Sequence, residues 1–240
     1  MLNAIGLQNI GIENFIKEKL PFLRQFNTSV IVNFFGDSIK EYAKAAERLS
    51  AVDGIHGLEM NISCPNKEAN WHIFGTDPKG TFEVVSAVRK VTDLTLIVKL
   101  SPNVTDIALM AKVAEDAGAD AVSLINTITG MAIDIKTRRP RIANITGGLS
   151  GPAIKPIAVR MVYETFRAVK IPVIGMGGIM NSSDAIEFML AGATAVAVGT
   201  ANFINPSSTI DIINGIESFM AENSITDVKE LTGGINIIKI

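Results

Sequence analysis

The chain has 240 residues, of which 48% are hydrophobic, and its mean hydropathy is +0.32. These values indicate one large domain with a substantial core rather than two small domains. The 22 basic and 24 acidic residues give a net charge of -2 and form no block of either sign, which argues against a nucleic-acid groove and a polybasic membrane patch.

The amino-terminal residues lack the features of a targeting segment. Residues 1–6 contain neither a basic region nor a long apolar stretch, and no apolar run in the chain approaches the roughly 18 residues that span a bilayer. Cys64 is the only cysteine, so no internal disulfide can form and a reducing compartment is indicated. The sequence therefore predicts a soluble, cytoplasmic protein.

Short runs of β-branched and aliphatic residues alternate with longer stretches of helical periodicity. This alternation is typical of βα units around a parallel sheet. Most of the runs are apolar throughout, so we expect both faces of each strand to be covered. The sequence predicts an α/β barrel with about six βα units in a single domain, residues 1–240. The predicted strands are Ser29–Phe35, Gly57–Ser63, Thr95–Ser101, Ala121–Thr127, Pro172–Gly178 and Ala195–Thr200.

Three of the intervening helices carry start and stop signals. Ser38 and Glu41 form a predicted capping box ahead of an apolar stripe at spacings of three and four. A second helix is predicted over Asp106–Ala117, with Gly118 placed to end it. A third is predicted within Ser183–Gly192, bracketed by that serine and glycine.

The connection over residues 126–156 is longer than the others. It contains three closely spaced glycines, three prolines and a basic cluster formed by Lys136, Arg138, Arg139 and Arg141. Connections of this length in a compact domain are often functional loops. We therefore predict a binding loop or lid here.

Glycines follow the last two predicted strands. The Gly175–Gly178 segment (GMGG) ends one strand and Gly199 with Thr200 ends the next. In α/β barrels a ligand phosphate frequently binds at these last loops, where glycines let backbone N–H groups approach it. The alternative is that these glycines only form tight turns. Their occurrence at two consecutive strand ends favours phosphate binding.

A polar cluster, Asn61–Asn66, stands at the carboxyl end of another predicted strand. That end of the strands is the catalytic face of an α/β barrel. A lone cysteine is more often an inert, buried apolar residue. Cys64, however, stands before a proline and among polar residues in a loop, where a thiolate could accept a proton from a bound substrate.

Lys99 lies within an otherwise apolar predicted strand, where a surface ammonium group is not expected. A buried lysine needs an anionic or hydrogen-bonding partner, and the electron-rich edge of a flavin would supply one. The alternative is that its side chain extends out of the barrel end into solvent. Asn33, Asn126 and Thr127 also stand at or near strand ends, where amides suit the orientation of a heterocycle.

The sequence contains no sign of a metal or dinucleotide site. His56 and His72 do not stand at metal-ligand spacing with other candidate ligands. No GxGxxG segment follows a strand, and Gly175–Gly178 does not match that fingerprint. Neither a metal centre nor a Rossmann cofactor site is predicted.

Together these motifs resemble the class 1 dihydroorotate dehydrogenases, and more closely their class 1B catalytic subunits. The matching segments follow the family order through essentially the whole chain. No single segment is specific for the family, but their combination is. They are Asn3–Asn9, Val32–Gly36, Asn61–Asn66, Phe74–Asp77, Val98–Asn103, Ile125–Thr127, Gly147–Pro152, Gly175–Gly178 and Val198–Phe203.

The resemblance implies a (β/α)8 TIM barrel that uses FMN to oxidise dihydroorotate to orotate in pyrimidine biosynthesis. It implies that Cys64 removes the proton at C5 while a hydride leaves C6 for the flavin N5. Residues implied to hold the orotate are Asn3, Ala4, Ile5, Gly6, Leu7, Asn61, Asn126 and Thr127. Residues implied to contact the flavin are Asn33, Asn61, Lys99, Ile125, Gly151, Gly177, Gly178, Gly199 and Thr200.

The class 1B resemblance also implies a partner subunit that carries FAD and an iron–sulfur cluster and passes electrons to NAD. Such a cluster takes four protein ligands, so the single cysteine of this chain cannot hold it. Class 1A enzymes instead pass electrons to fumarate, and the 147–164 segment is more similar to class 1B. A homodimer is also expected.

The sequence departs from the family pattern at two places. Asn70 and Trp71 replace two glycines common in the family's active-site loop, which predicts a stiffer loop. Residues 1–3 match an internal family segment that follows its second strand. Six βα units cannot close an eight-stranded barrel, so we expect an amino-terminally truncated barrel with low activity by itself.

Two other functions remain open at the level of the sequence. One is a related flavin barrel resembling dihydropyrimidine dehydrogenase, which reduces uracil or thymine, although the Asn3–Gly6 segment favours orotate. The other is an inactive fragment that retains only a binding or subunit-interaction role. Activity assays on a panel of pyrimidine substrates would distinguish the first function from dihydroorotate oxidation. Failure of the purified chain to retain FMN would favour the second.

Overall fold

The computed structural model describes residues 1–63 and 74–237. Its strands are β1 (Leu2–Asn3), β2 (Ile31–Phe34), β3 (Gly57–Asn61), β4 (Thr95–Lys99), β5 (Ala121–Leu124), β6 (Ile128–Met131), β7 (Ile133–Asp134), β8 (Arg139–Pro140), β9 (Thr146–Leu149), β10 (Val173–Met176) and β11 (Ala195–Ala197). Its α-helices are α1 (Ile12–Asn14), α2 (Leu20–Leu23), α3 (Ile39–Ser50), α4 (Pro78–Arg89), α5 (Ile107–Asp116), α6 (Lys155–Ala168), α7 (Ser182–Ala191), α8 (Ala201–Ile204) and α9 (Ser208–Glu222). A π-helix (Phe15–Lys19) joins α1 to α2, and 3-10 helices cover Phe74–Thr76, Pro152–Ile154 and Val228–Leu231.

Six of these strands form one parallel sheet in the order β2-β3-β4-β5-β10-β11. The order follows the chain, and helices connect the strands, as in a run of right-handed βα units. The predicted α/β fold is confirmed as a curled, six-stranded half-barrel. Each predicted strand contains one observed strand, and each observed strand ends before the predicted end, because the residues beyond its last ladder pair turn away as loops.

The predicted capping signals are confirmed in part. The Ser38 hydroxyl accepts a hydrogen bond from the Glu41 N–H at 3.2 Å, but the Glu41 carboxylate accepts from the Asp37 N–H at 2.8 Å rather than from Ser38, so the reciprocal half of the box is different. Asp106, the predicted first residue of the second helix, caps α5 by accepting from the Leu109 N–H at 2.9 Å. The predicted start of α7 at Ser183 is wrong. Asn181 caps that helix instead, because its side-chain oxygen accepts from the Asp184 N–H at 3.0 Å.

The outer face of the parallel sheet is apolar and buried against the helices. Leu58, Val98 and Val122 are fully buried there and belong to the same core cluster as Tyr42 of α3 and Ala114 of α5. Burial of this face is the main apolar contribution to stability, at roughly 25 cal/mol per Å² of apolar surface.

The inner face differs from the expectation of apolar residues on both sides. Because side chains alternate along a strand, Asn33, Glu59, Asn61, Lys99 and Ser123 all point to the inside of the half-barrel. The prediction of two apolar faces is therefore wrong for the inner face. The interior of the half-barrel is mixed, because the same register also points Ile97 and Ile174 inward, and the polar groups among these apolar residues suit a ligand site.

The long connection over residues 126–156 consists largely of β-structure rather than irregular loop. Strands β6 and β9 pair antiparallel, and β1 from the amino terminus adds to the other side of β9. A second hairpin, β7-β8, carries the exposed basic cluster near its turn. This small sheet stands beside the carboxyl ends of the parallel strands, because β6 follows β5 directly.

Candidate active site

A cavity of about 320 Å³ lies at the carboxyl ends of the parallel strands. This is where ligands bind in parallel α/β folds. All the flavin-contacting residues predicted from the sequence line it except Asn33 and Asn61, and two predicted orotate residues line it as well. The lining residues are Glu59, Lys99, Ile125, Asn126, Thr127, Ser150, Gly151, Ile154, Met176, Gly177, Gly178, Ile179, Ala197, Val198, Gly199 and Thr200.

The glycine-rich side of the cavity is built from backbone in close approach. Gly178 has φ +82°, and a Cβ placed there would lie 2.8 Å from the Gly151 carbonyl oxygen and 3.0 Å from the Lys155 nitrogen. Only glycine fits this position without strain. Gly199, by contrast, has open space in place of a side chain. The glycines therefore form a backbone cradle beside an open volume. This arrangement favours phosphate binding over the alternative that the glycines only form tight turns.

An ion-pair network holds the outer side of this cradle. The Lys155 ammonium donates to Asp184 at 2.7 Å and to Glu187 at 2.6 Å. Hydrogen bonds to Asp184 and then Glu187 raise the pKa of Lys155 above its ordinary value. Burial raises the pKa of Asp184, but the hydrogen bonds from Lys155 and from the Met180 N–H outweigh it and lower that pKa overall. Helix α7 is thereby tied to the start of α6, where the cradle lies.

Lys99 lies on the inner face of β4 and lines the cavity. Its side chain is partly buried, and within residues 1–63 and 74–237 its ammonium group makes no hydrogen bond and no ion pair. Its place in the cavity wall favours a contact with a bound ligand over the alternative that the side chain leaves the barrel end for solvent. A partly buried cation without a protein partner is suited to an electron-rich ligand edge.

A hydrogen-bonded chain of polar side chains continues from β3 to β5. The buried Asn61 side-chain oxygen accepts from the Ser63 hydroxyl at 3.0 Å, and that hydroxyl accepts from the Asn126 amide at 2.9 Å. Tyr42 of α3 donates its hydroxyl to the Asn61 carbonyl at 2.8 Å. Asn61 thus lies behind Asn126 and is held in one orientation. The sequence offered no signal for the supporting role of Tyr42, because it acts across the sheet from a helix.

Thr127 connects the cavity to the small antiparallel sheet. Its carbonyl accepts from the Asn103 amide at 3.1 Å, and the Asn103 side-chain oxygen accepts from the Thr129 N–H at 3.0 Å. Gly148 of β9 packs directly on Thr127, since a Cβ at Gly148 would lie 2.2 Å from the threonine Oγ1. Asn103, which the site assignment did not include, therefore sets the path of the chain past the cavity.

The predicted substrate segment Asn3–Leu7 begins in this small sheet. Asn3 pairs with Gly148 across β1 and β9, which places it one residue layer from Thr127. None of these five residues lines the 320 Å³ cavity, and Ile5 is 69% exposed. The structure therefore brings Asn3 near the cavity and leaves the rest of the segment at its open side.

Asn33 stands on β2, the outer strand, and lines a separate apolar cavity of about 400 Å³. It reaches the main cavity through Glu59, whose Oε2 accepts from the Asn33 amide at 2.5 Å. Glu59 also accepts from the Ser123 hydroxyl at 2.6 Å. Sequence reasoning missed Glu59, although its signal was the same as that of Lys99: a charged residue inside an apolar strand.

Cys64, the predicted catalytic base, lies outside the described residues, as do Asn70 and Trp71. The nearest described residue, Ser63, is fully buried and hydrogen-bonded to Asn61. Within the described ranges there is no cluster of three or more potential metal-ligating side chains. The described helices also include none long and apolar enough to cross a membrane.

The sequence profile described as "Dihydroorotate dehydrogenase" matches residues 1–220. A Geotalea uraniireducens protein named "Dihydroorotate dehydrogenase B (NAD(+)), catalytic subunit" is 62% identical over 235 residues, covering 98% of this chain and 77% of that protein. Proteins of the same name from Geobacter metallireducens and Thermodesulfovibrio yellowstonii are 60% and 57% identical, covering 99% and 97% of this chain and 78% and 77% of their own lengths.

The chain belongs to the dihydroorotate dehydrogenase family. The resemblance to class 1B catalytic subunits is confirmed, because these relatives carry that subunit's name. Within this family the half-barrel and its strand-end cavity occupy the part of the chain that the family profile covers. The inner face was wrongly expected to be apolar because, in this member of the dihydroorotate dehydrogenase family, it contributes polar residues such as Glu59 and Lys99 to the cavity.

Proposed function

We propose that this chain is the catalytic subunit of a dihydroorotate dehydrogenase, which oxidises dihydroorotate to orotate in pyrimidine biosynthesis. The observation that carries the proposal is one cavity that combines Lys99, the strand-end amides and the glycine cradle. It occurs in a chain 62% identical to a protein of that name. Residues 1–240 act in this proposal as a single flavin-binding domain.

FMN is the proposed cofactor, and when bound it supplies a two-electron acceptor for the hydride that leaves C6 of the substrate. The glycine cradle supports this choice, since Gly177 and Gly178 line the cavity with backbone too crowded for a side chain, while Gly199 opens onto free space where a phosphate fits. Thr200, whose hydroxyl already bonds to Ser150 at 3.0 Å, would complete the phosphate side. Lys99 would hold the electron-rich edge of the flavin ring.

The substrate side is assigned to the polar groups at the other end of the cavity. Asn126 and Thr127 would bind the ring amides, with Asn61 and Ser63 holding Asn126 in place. Cys64 would accept the C5 proton as the C5–C6 double bond forms, an assignment that rests on the family motif. The Asn3–Leu7 segment would close over the carboxylate from the small sheet.

A partner subunit is part of the proposal. The relatives are named catalytic subunits of an NAD(+) enzyme, and a name of that kind describes one member of an assembly. The partner would carry FAD and an iron–sulfur cluster and would pass the electrons to NAD. Two copies of this chain would form the core of that assembly.

The test of this proposal is the visible spectrum of the purified chain after addition of FMN and desalting. We expect retained flavin absorbance that bleaches when dihydroorotate is added without oxygen. Dihydrouracil and dihydrothymine, which could also give a hydride to the flavin, serve as substrate controls and should leave the spectrum unchanged. A protein that retains no flavin, or a retained flavin that dihydroorotate does not bleach, would contradict the proposal.

A further inference from the structure

Glu59 is a charged residue inside the half-barrel to which neither the motifs nor the resemblance assigned a role. Its side chain lines the same cavity as Lys99. Both of its carboxylate oxygens are occupied by neutral donors: Oε1 accepts from Ser123 and Oε2 from Asn33. A carboxylate held at both oxygens in this way is fixed in position.

The strand register places these groups around Lys99. Asn33 pairs with Glu59 across β2 and β3, while Lys99 pairs with Ser123 across β4 and β5. The Glu59 carboxylate therefore reaches past β4, the strand that carries Lys99, to bond with Ser123. Residues from alternate strands share a layer inside an α/β barrel, which explains why β3 and β5 meet there.

Lys99 and Glu59 nevertheless form no ion pair. Opposite charges in a partly enclosed cavity attract more strongly than in water, and lysine side chains are flexible. The absence of the pair therefore needs a restraint on one of the two groups. The hydrogen bonds from Ser123 and Asn33 are such a restraint, because they act on the carboxylate and leave the ammonium group without a partner among the described residues.

We infer that Ser123 and Asn33 hold the Glu59 carboxylate away from Lys99, so that the Lys99 ammonium stays available to an electron-rich ligand edge. Glu59 and Ser123 are positioning residues in this scheme, since they act through Lys99. The link to a flavin rests on the proposed function, whereas the restraint itself is a property of the ligand-free chain.

The experiment measures the acetylation rate of Lys99 in the ligand-free chain with an amine-reactive acetyl ester, followed by peptide mass spectrometry. Lys79, whose side chain is 83% exposed, serves as the internal reference. The variants are Ser123→Ala, Asn33→Ala, Glu59→Gln and the double variant S123A/E59Q. Ser50→Ala, which removes a partly buried hydroxyl on α3, is the matched control.

We expect Ser123→Ala and Asn33→Ala to slow the acetylation of Lys99 about fivefold, the effect of a new ion pair worth about 1 kcal/mol. Glu59→Gln and S123A/E59Q should react as fast as the parent chain, because no carboxylate remains to pair. Asn33→Ala keeps the test decisive if Ser123→Ala fails to fold, since Asn33 is exposed. Unchanged rates in the single variants, or a slow double variant, would overturn the inference.

A second readout connects the restraint to the ligand. In the parent chain, FMN binding is measured by quenching of flavin fluorescence, and Ser123→Ala should weaken it about fivefold, with recovery in S123A/E59Q. If the parent retains no FMN, the proposed function fails, while the acetylation rates still decide this inference. If the parent binds FMN and the double variant shows no recovery, the inference fails by itself.

Discussion

Gly178 shows at the scale of one residue how the cavity depends on the absence of a side chain. Its φ of +82° and the 2.8 Å approach to the Gly151 oxygen both exclude a Cβ. We expect Gly178→Ala to weaken FMN binding by more than about tenfold, because the cradle must open to admit the methyl group. Equilibrium titration of flavin fluorescence measures this.

Gly192 provides the matched control for that substitution. It also has a positive φ, +122°, and packs tightly against Phe166, but it lies at the end of α7 and lines no part of the 320 Å³ cavity. Gly192→Ala should lower the free energy of unfolding and leave FMN affinity within about twofold. Equal losses of FMN affinity in both variants would show that general strain, and not the cradle, is responsible.

Asp184 gives a pH-dependent prediction. Its pKa is lowered in the folded protein from an ordinary value of 3.8, so its stabilising contribution is present above that value and is lost as pH falls through the lower folded pKa. Asp184→Asn should cost about 1 to 2 kcal/mol of unfolding free energy at pH 7, and the difference from the parent should shrink below about pH 4. Urea unfolding at several pH values measures it.

The neighbouring carboxylate is the control for Asp184. Glu187 binds the same lysine, but its side chain is 48% exposed, whereas that of Asp184 is 12% exposed. Glu187→Gln should therefore change the unfolding free energy by less than about 0.5 kcal/mol. A pH-independent difference between the parent and Asp184→Asn would contradict the ion-pair explanation.

At the scale of elements, local signals such as capping residues and apolar spacing specify the helices. Each strand instead carries different residues on its outer and inner faces. Helix α5 is the clearest case, because Asp106 caps it, its apolar residues at spacings of three and four are buried, and Gly118 with φ +102° follows its end. Asp106→Ala should lower the free energy of unfolding by about 1 kcal/mol. FMN affinity should not change, since α5 lies outside the sheet, and a loss of affinity equal to that of Gly178→Ala would be inconsistent with this.

At the scale of the whole molecule, the parallel sheet has two outer strands. Among the described residues β2 pairs only with β3 and β11 only with β10, and Ile31 on β2 is 50% exposed. Unpaired strand edges with apolar side chains favour association between chains. The relatives are longer, since this chain covers 77% of the Geotalea uraniireducens protein.

We therefore expect the 240-residue chain to associate as its concentration rises, as measured by sedimentation velocity. Extending this chain at its amino terminus, where the resemblance predicts two further strands, with the part of that relative that it does not cover should suppress the association. The extension should also tighten FMN binding by more than about tenfold, because paired edges close the half-barrel. An extended chain that associates equally and binds FMN no better would contradict this.

Much of this architecture was predictable from the sequence. The six parallel strands, the caps at Ser38 and Asp106 and the glycines around the cavity follow from patterns local to each segment, namely apolar runs, capping residues and strand-end glycines. Parallel strands present their carboxyl ends at one edge of the sheet, so the sequence also predicts that the residues at these strand ends lie together at that edge.

Local patterns also led to three errors, and the smallest is the start of α7, which Asn181 rather than Ser183 caps. The sequence of residues 126–156 predicts a loop, because its strands are short and contain glycine. Strands β6 and β9 form only because they pair with each other and β1 pairs with β9. The inner face read as apolar because each strand contains at most two polar residues on that side. Those residues form one polar surface only when the sheet curls.

What the sequence determined by itself was the order of the elements, most of the helix ends and the family motifs, since each depends on neighbours within a few residues. What only the tertiary structure decided was the network of Asn33, Glu59 and Ser123 around Lys99, whose ammonium group has no partner in the part of the chain that the structure describes. It also decided the support of Asn61 by Tyr42. These contacts join residues on different strands and helices. Their geometry depends on strand register and sheet curvature, which no local pattern encodes.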